Sequence, residues 1–215
     1  MTNRKLVRGD FLERLKEIAR QRPAGILLRE KDLTPEEYRK LAREVQSICK
    51  KAGVPCILHS FTGVAEELEA DALHLPLPLL RKLPGEDRGR FRQLGASCHS
   101  VADAREAQSL GCTYITAGHI FDTDCKRGLP GRGLDFLREV CGAVTIPVYA
   151  IGGIEPKRMA EIFAAGAAGA CVMSGPMVCE DVGTYFADFA GAGKAAAAAV
   201  SGETEAPQEK WAQRK

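Results

Sequence analysis

Apolar residues along the chain follow two rhythms that alternate. Short solid runs (24–28, 55–58, 71–75, 94–98, 113–117, 146–151 and 170–173) are separated by longer stretches in which apolar positions return every three or four residues. Solid runs bounded by turn residues predict buried parallel strands, and the longer spacing predicts helices packed over them. A weaker run, 4–8, predicts a first strand ahead of these. The clearest helix begins at Thr34-Pro35-Glu36-Glu37, a capping box with proline in the first helical position. Its stripe is Tyr38, Leu41, Val45, Ile48 and Ala52, and it stops at Gly53 before Pro55. Asp10 predicts the cap of a helix through Phe11, Leu15, Ile18 and Ala19, and Ser100 with Asp103 opens another that ends at Gly111. The proline- and leucine-rich stretch 76–84 reads as a connection. A last helix is expected over 181–189.

Eight strands alternating with helices predict a single (β/α)8 TIM barrel in the α/β class, over residues 1–190. An open doubly wound sheet for a dinucleotide would need a glycine-rich turn opening the first helix, and Arg8-Gly9-Asp10 is not one. Residues 191–215 turn alanine-rich and then polar, which predicts a frayed helix end and a disordered tail with no assigned function.

Composition narrows the function classes. The 215 residues are 45% hydrophobic and 27% charged with a net charge of +2, too balanced to argue for nucleic acid or a membrane surface as partner. No apolar run approaches the ~20 residues that span a bilayer. The start, Met-Thr-Asn-Arg-Lys, lacks a signal peptide's apolar segment. The eight cysteines form no CxxC and several sit inside apolar runs, so reduced thiols in a cytoplasmic protein are expected, not a disulfide framework or a zinc site.

Candidate chemistry gathers where the strands end. The run 118–133 joins the strand at 113–117 to a helical pattern, and it holds His119, Asp122, Thr123, Asp124, Cys125 and Lys126 among four glycines. His59, His74, His99 and His119 fall at or near the carboxyl ends of four consecutive predicted strands, which in a barrel converge on one mouth. His119 is the best proton-transfer candidate, because an imidazole both accepts and donates near neutrality. Cys125 beside Lys126 is a weaker nucleophile candidate, with no base arranged around it. Gly152-Gly153 and Ser174-Gly175 close the last two strands, where glycine lets backbone N–H groups approach a phosphate. Arg29 and Lys31 either form a solvated face or meet an anionic group across the mouth. No HxH pair and no Asp closing the last strand support a metal.

Four segments carry a family likeness. They are Leu28-Arg29-Glu30-Lys31, Ala70-Asp71-Ala72-Leu73-His74-Leu75, the loop from Gly118, and Val148-Tyr149-Ala150-Ile151-Gly152-Gly153-Ile154 with the run 165–174. Together they resemble the thiamine phosphate synthase superfamily. Within it, Gly118-His119-Ile120-Phe121-Asp122-Thr123-Asp124-Cys125-Lys126 is similar to the TenI-type thiazole tautomerases, where synthases carry proline in place of His119. The resemblance implies an Asn-Asp-Arg after the third strand and a His-Leu-Gly-Gln-x-Asp after the fourth for a Mg²⁺-dependent synthase. This chain has His59-Ser60-Phe61 and His74-Leu75-Pro76-Leu77-Pro78-Leu79, and Leu27 replaces the glutamine that would read the pyrimidine. Without those carboxylates the resemblance predicts an isomerase, not a synthase. The expected reaction aromatises a carboxythiazole phosphate tautomer with no metal or other cofactor. His119 would move a proton. Gly152, Gly153, Ser174 and Gly175 would hold the phosphate, Arg29 and Lys31 the carboxylate, and Thr123 and Lys126 would set the loop. The partner is a phosphorylated thiazole; the number of subunits stays open, a homo-oligomer included. A Mg²⁺-dependent synthase and a catalytically silent thiazole-phosphate-binding regulator are the alternatives.

Overall fold

A computed structural model describes residues 1–126 and 128–200, without the side chains of Cys125 and 194–200. In chain order its elements are α1 (Phe11–Arg20), β1 (Ile26–Leu28), α2 (Pro35–Ala52), β2 (Cys56–His59), α3 (Thr62–Glu67), β3 (Ala72–Pro76), α4 (Leu77–Lys82), α5 (Gly85–Arg88), β4 (Gln93–Cys98) and α6 (Val101–Ser109). They continue as β5 (Tyr114–Gly118), α7 (Gly133–Ala143), β6 (Val148–Ile151), α8 (Met159–Ala164), β7 (Gly169–Cys171), α9 (Ser174–Val178) and α10 (Val182–Val200).

The caps form as their side chains dictate. Asp10 accepts from the Glu13 N–H at 2.8 Å. In the Thr34 box the hydroxyl accepts from the Glu37 N–H at 3.3 Å, while the Glu37 carboxylate accepts from the Thr34 N–H at 2.8 Å. Gly53 then ends α2 at φ 68°, a left-handed position where glycine has no Cβ to strain. The buried stripe of α2 is Tyr38, Ala42, Val45 and Cys49. The face is thus centred one position beyond the expected stripe, and Leu41 and Ile48 pack at its margin.

The parallel sheet runs β1-β2-β3-β4-β5-β6-β7, each strand beside its sequence neighbour. Helices cover one face, burying Leu28, Leu58, Leu73, Leu94 and Ile115 completely. The arrangement is a curled, TIM-like sheet of seven strands among the described residues, which corrects the expected eight. The missing one is the first. Residues Arg4–Leu6 form a 3-10 turn, because the Arg4 N–H donates to the Glu30 carboxylate at 3.0 Å and the Asn3 side chain takes the Lys5 N–H. Those donors are therefore not available to a strand ladder. Residues 1 and 2 instead bridge the open edges: the N-terminal ammonium donates to the Val172 carbonyl at 3.0 Å and the Thr2 N–H to the Leu27 carbonyl at 2.8 Å.

Two boundaries also differ. The connection at 76–84 contains α4, with Pro78 at its second position, where no intrahelical N–H bond is lost. The last helix continues to Val200, beyond the expected 189, through an alanine run of high helix propensity. The tail at 201–215 lies outside the described residues. No described helix is long and apolar enough to cross a membrane.

Candidate functional site

Parallel pairing sets the carboxyl ends of the strands side by side, with His59 in register with His74 and His74 with Gly95. The four histidines then divide into two pairs. His74 is fully buried, its Nδ1 3.0 Å from the Tyr114 hydroxyl and its Nε2 2.9 Å from the Ser97 hydroxyl. Gly95 makes that arrangement fit, since a Cβ there would lie 2.5 Å from the Tyr114 oxygen. His59 is also buried, with Nδ1 2.7 Å from the Ser60 hydroxyl and its ring stacked 5.8 Å from that of His74. Burial first, then His74, Lys31 and Arg29, push its pKa down to about 2. Burial and the N-terminal ammonium push His74 down to about 3. Both rings are thus held neutral within a buried polar network.

His99 and His119 sit at the surface of the same end. The exposed His99 places Nδ1 2.9 Å from the Gly118 carbonyl. The half-buried His119 places Nε2 3.2 Å from the Leu129 carbonyl. The loop bearing His119 first prolongs the pairing of β5 with β6, through the Ile120 N–H to the Ile151 carbonyl (2.9 Å) and the Phe121 N–H to the Gly152 carbonyl (3.1 Å). It then turns at Asp124–Lys126 and returns, with the Arg132 N–H donating to the His119 carbonyl at 2.9 Å. Asp122 stitches the return by accepting from the Gly131 N–H at 2.7 Å. The Arg158 guanidinium stacks 4.0 Å over the Phe121 ring. Asp122, Thr123, Asp124 and Lys126 line a shallow cavity of about 490 Å³ on this loop. A larger cavity, about 1140 Å³, lies against the inner sheet face between residues such as Ile57, Tyr114, Thr116 and Tyr149, and contains none of the expected site residues.

The glycine-rich ends have two roles. Gly152 and Gly153 have φ 96° and 64°, and the His119 loop lies directly against them: a Cβ on Gly152 would sit 2.8 Å from His119 Cα, and one on Gly153 2.8 Å from Phe121 Cβ. A Cβ on Gly175 would overlap the Tyr185 ring. Beyond this packing, the N–H groups of Gly153, Ser174 and Gly175 donate to no acceptor among the described residues.

The charges that follow β1 are sorted by their partners. Glu30 is buried and accepts from the Thr2 hydroxyl at 2.7 Å and from the Arg4 guanidinium at 3.1 Å. Asp32 pairs with Arg4 at 2.7 Å and with Lys5 at 2.9 Å. Burial, then Arg29, then Lys126 hold Lys31 below the usual lysine range. Among the described residues, no carboxylate lies within ion-pair distance of Arg29, Lys31 or Lys126. Arg29, Lys31 and Lys126, and the N–H groups after β6 and β7, thus remain available as donors to an anion.

Tyr38, Ser97 and Tyr114 have polar roles beyond the sequence expectations. Tyr38 accepts from the His59 N–H at 2.9 Å and donates to the Leu28 carbonyl at 2.7 Å, tying β1 to β2. Only its place on an apolar stripe was visible in the sequence, because long-range pairing leaves no local signal.

Comparison with known proteins gives one consistent picture. The family model described as thiamine monophosphate synthase matches residues 1–175. A thiamine-phosphate synthase of Moorella thermoacetica is 38% identical over 165 residues, covering 74% of this chain and 76% of the relative. One from Syntrophomonas wolfei is 32% identical over 189 residues, covering 85% and 88%. The solved thiamine phosphate pyrophosphorylase of Pyrococcus furiosus superposes with a TM-score of 0.78 at 26% identity, covering 91% of this chain and 94% of that one. These names overturn the isomerase expectation, since the relatives are transferases and none of them is named a tautomerase.

Proposed function

Since the chain belongs to the thiamine monophosphate synthase family, we propose that it is a transferase of thiamine biosynthesis that takes phosphorylated substrates at the carboxyl ends of its strands. Two anion-complementary places at one end of the sheet carry this reading. A thiazole phosphate needs one, at Gly152, Gly153, Ser174 and Gly175, and a pyrimidine diphosphate needs the other, at Arg29, Lys31 and Lys126. In the joining step the thiazole nitrogen forms a bond to the pyrimidine methylene carbon, whose bond to the diphosphate oxygen breaks and leaves its electron pair on that oxygen. Fixed cations facing the leaving group stabilise the charge that develops there. His119 is proposed as the proton donor to the departing diphosphate, a role typically worth about 10²–10⁴-fold, and Thr123 positions its loop.

The donor set favours a second reading. The ends of β2 and β3 carry His59-Ser60-Phe61 and Pro76 to Leu79, with no carboxylate, which suits binding of a thiazole phosphate without turnover. One experiment separates the two. The chain is incubated with hydroxymethylpyrimidine diphosphate and thiazole phosphate, with and without Mg²⁺, and thiamine phosphate is measured. Product formation that falls in the His119→Asn variant supports the transferase. Saturable thiazole phosphate binding with no product supports the silent binder. Absence of both binding and product refutes the function.

A further inference from the structure

The sheet is open between β1 and β7, each of which pairs on one side only among the described residues. The gap between them is one strand wide. Met1 and Thr2 reach both edges through main-chain nitrogens, to the Val172 carbonyl at 3.0 Å and the Leu27 carbonyl at 2.8 Å. Those two residues fill only the carboxyl end of the gap. The cavity of about 1140 Å³ runs on from them, along Ile26 and Leu27 on one side and Ala170 and Cys171 on the other. It reaches Pro55 and Pro147, which precede β2 and β6.

Both edges offer unpaired main chain. The Ile26 N–H donates to the Pro55 carbonyl at 2.9 Å beside β2, and the Ala168 N–H to the Val148 carbonyl at 2.8 Å beside β6. Main-chain groups of successive strand residues point alternately to the two sides, so Leu27, Gly169 and Cys171 aim theirs into the gap. There only the Leu27 carbonyl has a partner among the described residues, the Thr2 N–H. The other walls are apolar: Leu15 and Ile18 of α1 and Phe186 of α10 on the helical side, Ile57 on the inner side.

We propose that this gap is a docking slot for an extended apolar peptide segment, which adds as a strand between β1 and β7. A compact apolar molecule would fill the volume and leave the main-chain groups of both edges unpaired, whereas an extended peptide satisfies the two edges together. The two edge strands have three residues each, so about four residues of extended chain match them. Apolar walls on both faces select a continuous run of β-branched side chains over an alternating one. The slot is independent of the transferase reading, because none of the residues that carry that reading lines it.

Titration calorimetry of the full chain with acetyl-Lys-Lys-Val-Ile-Val-Ile-amide tests this, the lysines serving only for solubility. Saturable binding is expected, and in the complex the Leu27 and Cys171 amides should exchange with deuterium about tenfold or more slowly. The same peptide N-methylated at every second amide loses its donors toward one edge and should bind about tenfold or more weakly. Absence of binding overturns the proposal. Equal binding of the methylated peptide also overturns it, since the cavity would then take apolar groups without strand pairing. Slowed exchange at one edge alone overturns insertion between the two.

Discussion

Gly152→Ala is the substitution that most directly tests how His119 is positioned. Two effects act at this residue. Its φ of 96° puts an L side chain in the left-handed half of backbone space, which costs about 1–2 kcal/mol. The new Cβ would also sit 2.8 Å from His119 Cα and overlap His119 Cβ. Neither atom can rotate away, so the loop must move, a displacement of the kind that costs about 1–3 kcal/mol. The expected loss is therefore roughly 2–5 kcal/mol. Gly111→Ala provides the control, because Gly111 has φ 90° but open space where its Cβ would go. It should lose only the first part, about 1–2 kcal/mol. Parallel urea unfolding measures both, and in a chain of this size each kcal/mol lowers Tm by about 2–4 °C. Imidazole NMR should show the His119 ring shifted in Gly152→Ala and unchanged in Gly111→Ala. Equal destabilisation in the two variants, with His119 undisturbed, would refute the close approach of β6 to the loop.

The buried histidines set an acid limit. In the unfolded chain they protonate near pH 6.5, while in the fold they stay neutral down to about 2 for His59 and about 3 for His74. The unfolded state thus binds more protons below ~6.5, so stability is full above that pH and falls toward pH 3 by up to ~1.4 kcal/mol per pH unit for each ring. Urea midpoints measured against pH should show this slope, shallower in His74→Gln; identical slopes would contradict it. Tyr38→Phe leaves the His59 N–H and the Leu28 carbonyl without their shared partner and should cost about 1–3 kcal/mol in the same assay. Glu30→Gln weakens the hold on Thr2 and Arg4, so the Arg4 amide should exchange with deuterium about tenfold faster; unchanged protection would show that another group holds the segment.

What the sequence makes legible follows the range of the interactions involved. The caps at Asp10, Thr34 and Ser100 depend on residues within three positions, and all of them form as expected. Strand order is readable because each strand pairs with its neighbour in sequence. The first strand is not readable, since a buried Glu30 some twenty-six positions away takes the Arg4 N–H. The histidines show the same division. Their location at the strand ends is a local property, but the neutrality of His59 and His74 follows first from burial under other elements, then for His59 from His74, Lys31 and Arg29 and for His74 from the N-terminal ammonium. The glycines after β6 illustrate a second limit. A phosphate turn and a close approach both require Gly152 and Gly153, so the residue type alone cannot separate them, and the packed loop shows the second requirement independently of the first.

The segment Arg29-Glu30-Lys31-Asp32 explains why net charge was a poor guide to this site. Its four charges cancel, and the whole chain carries only +2. In the fold, however, these charges do not share partners: the chain leaves β1 at Leu28 and turns at Lys31 and Asp32. Glu30 and Asp32 turn toward Arg4 and Lys5, which neutralise them. Arg29 and Lys31 have no such partner among the described residues, and Lys126 adds to the positive potential at Lys31. The N-terminal segment therefore has an electrostatic effect beyond bridging β1 and β7. By holding both carboxylates away from the mouth, it leaves a field there that the summed charge does not reveal, because a ligand in a cleft responds to nearby charges far more than to the total.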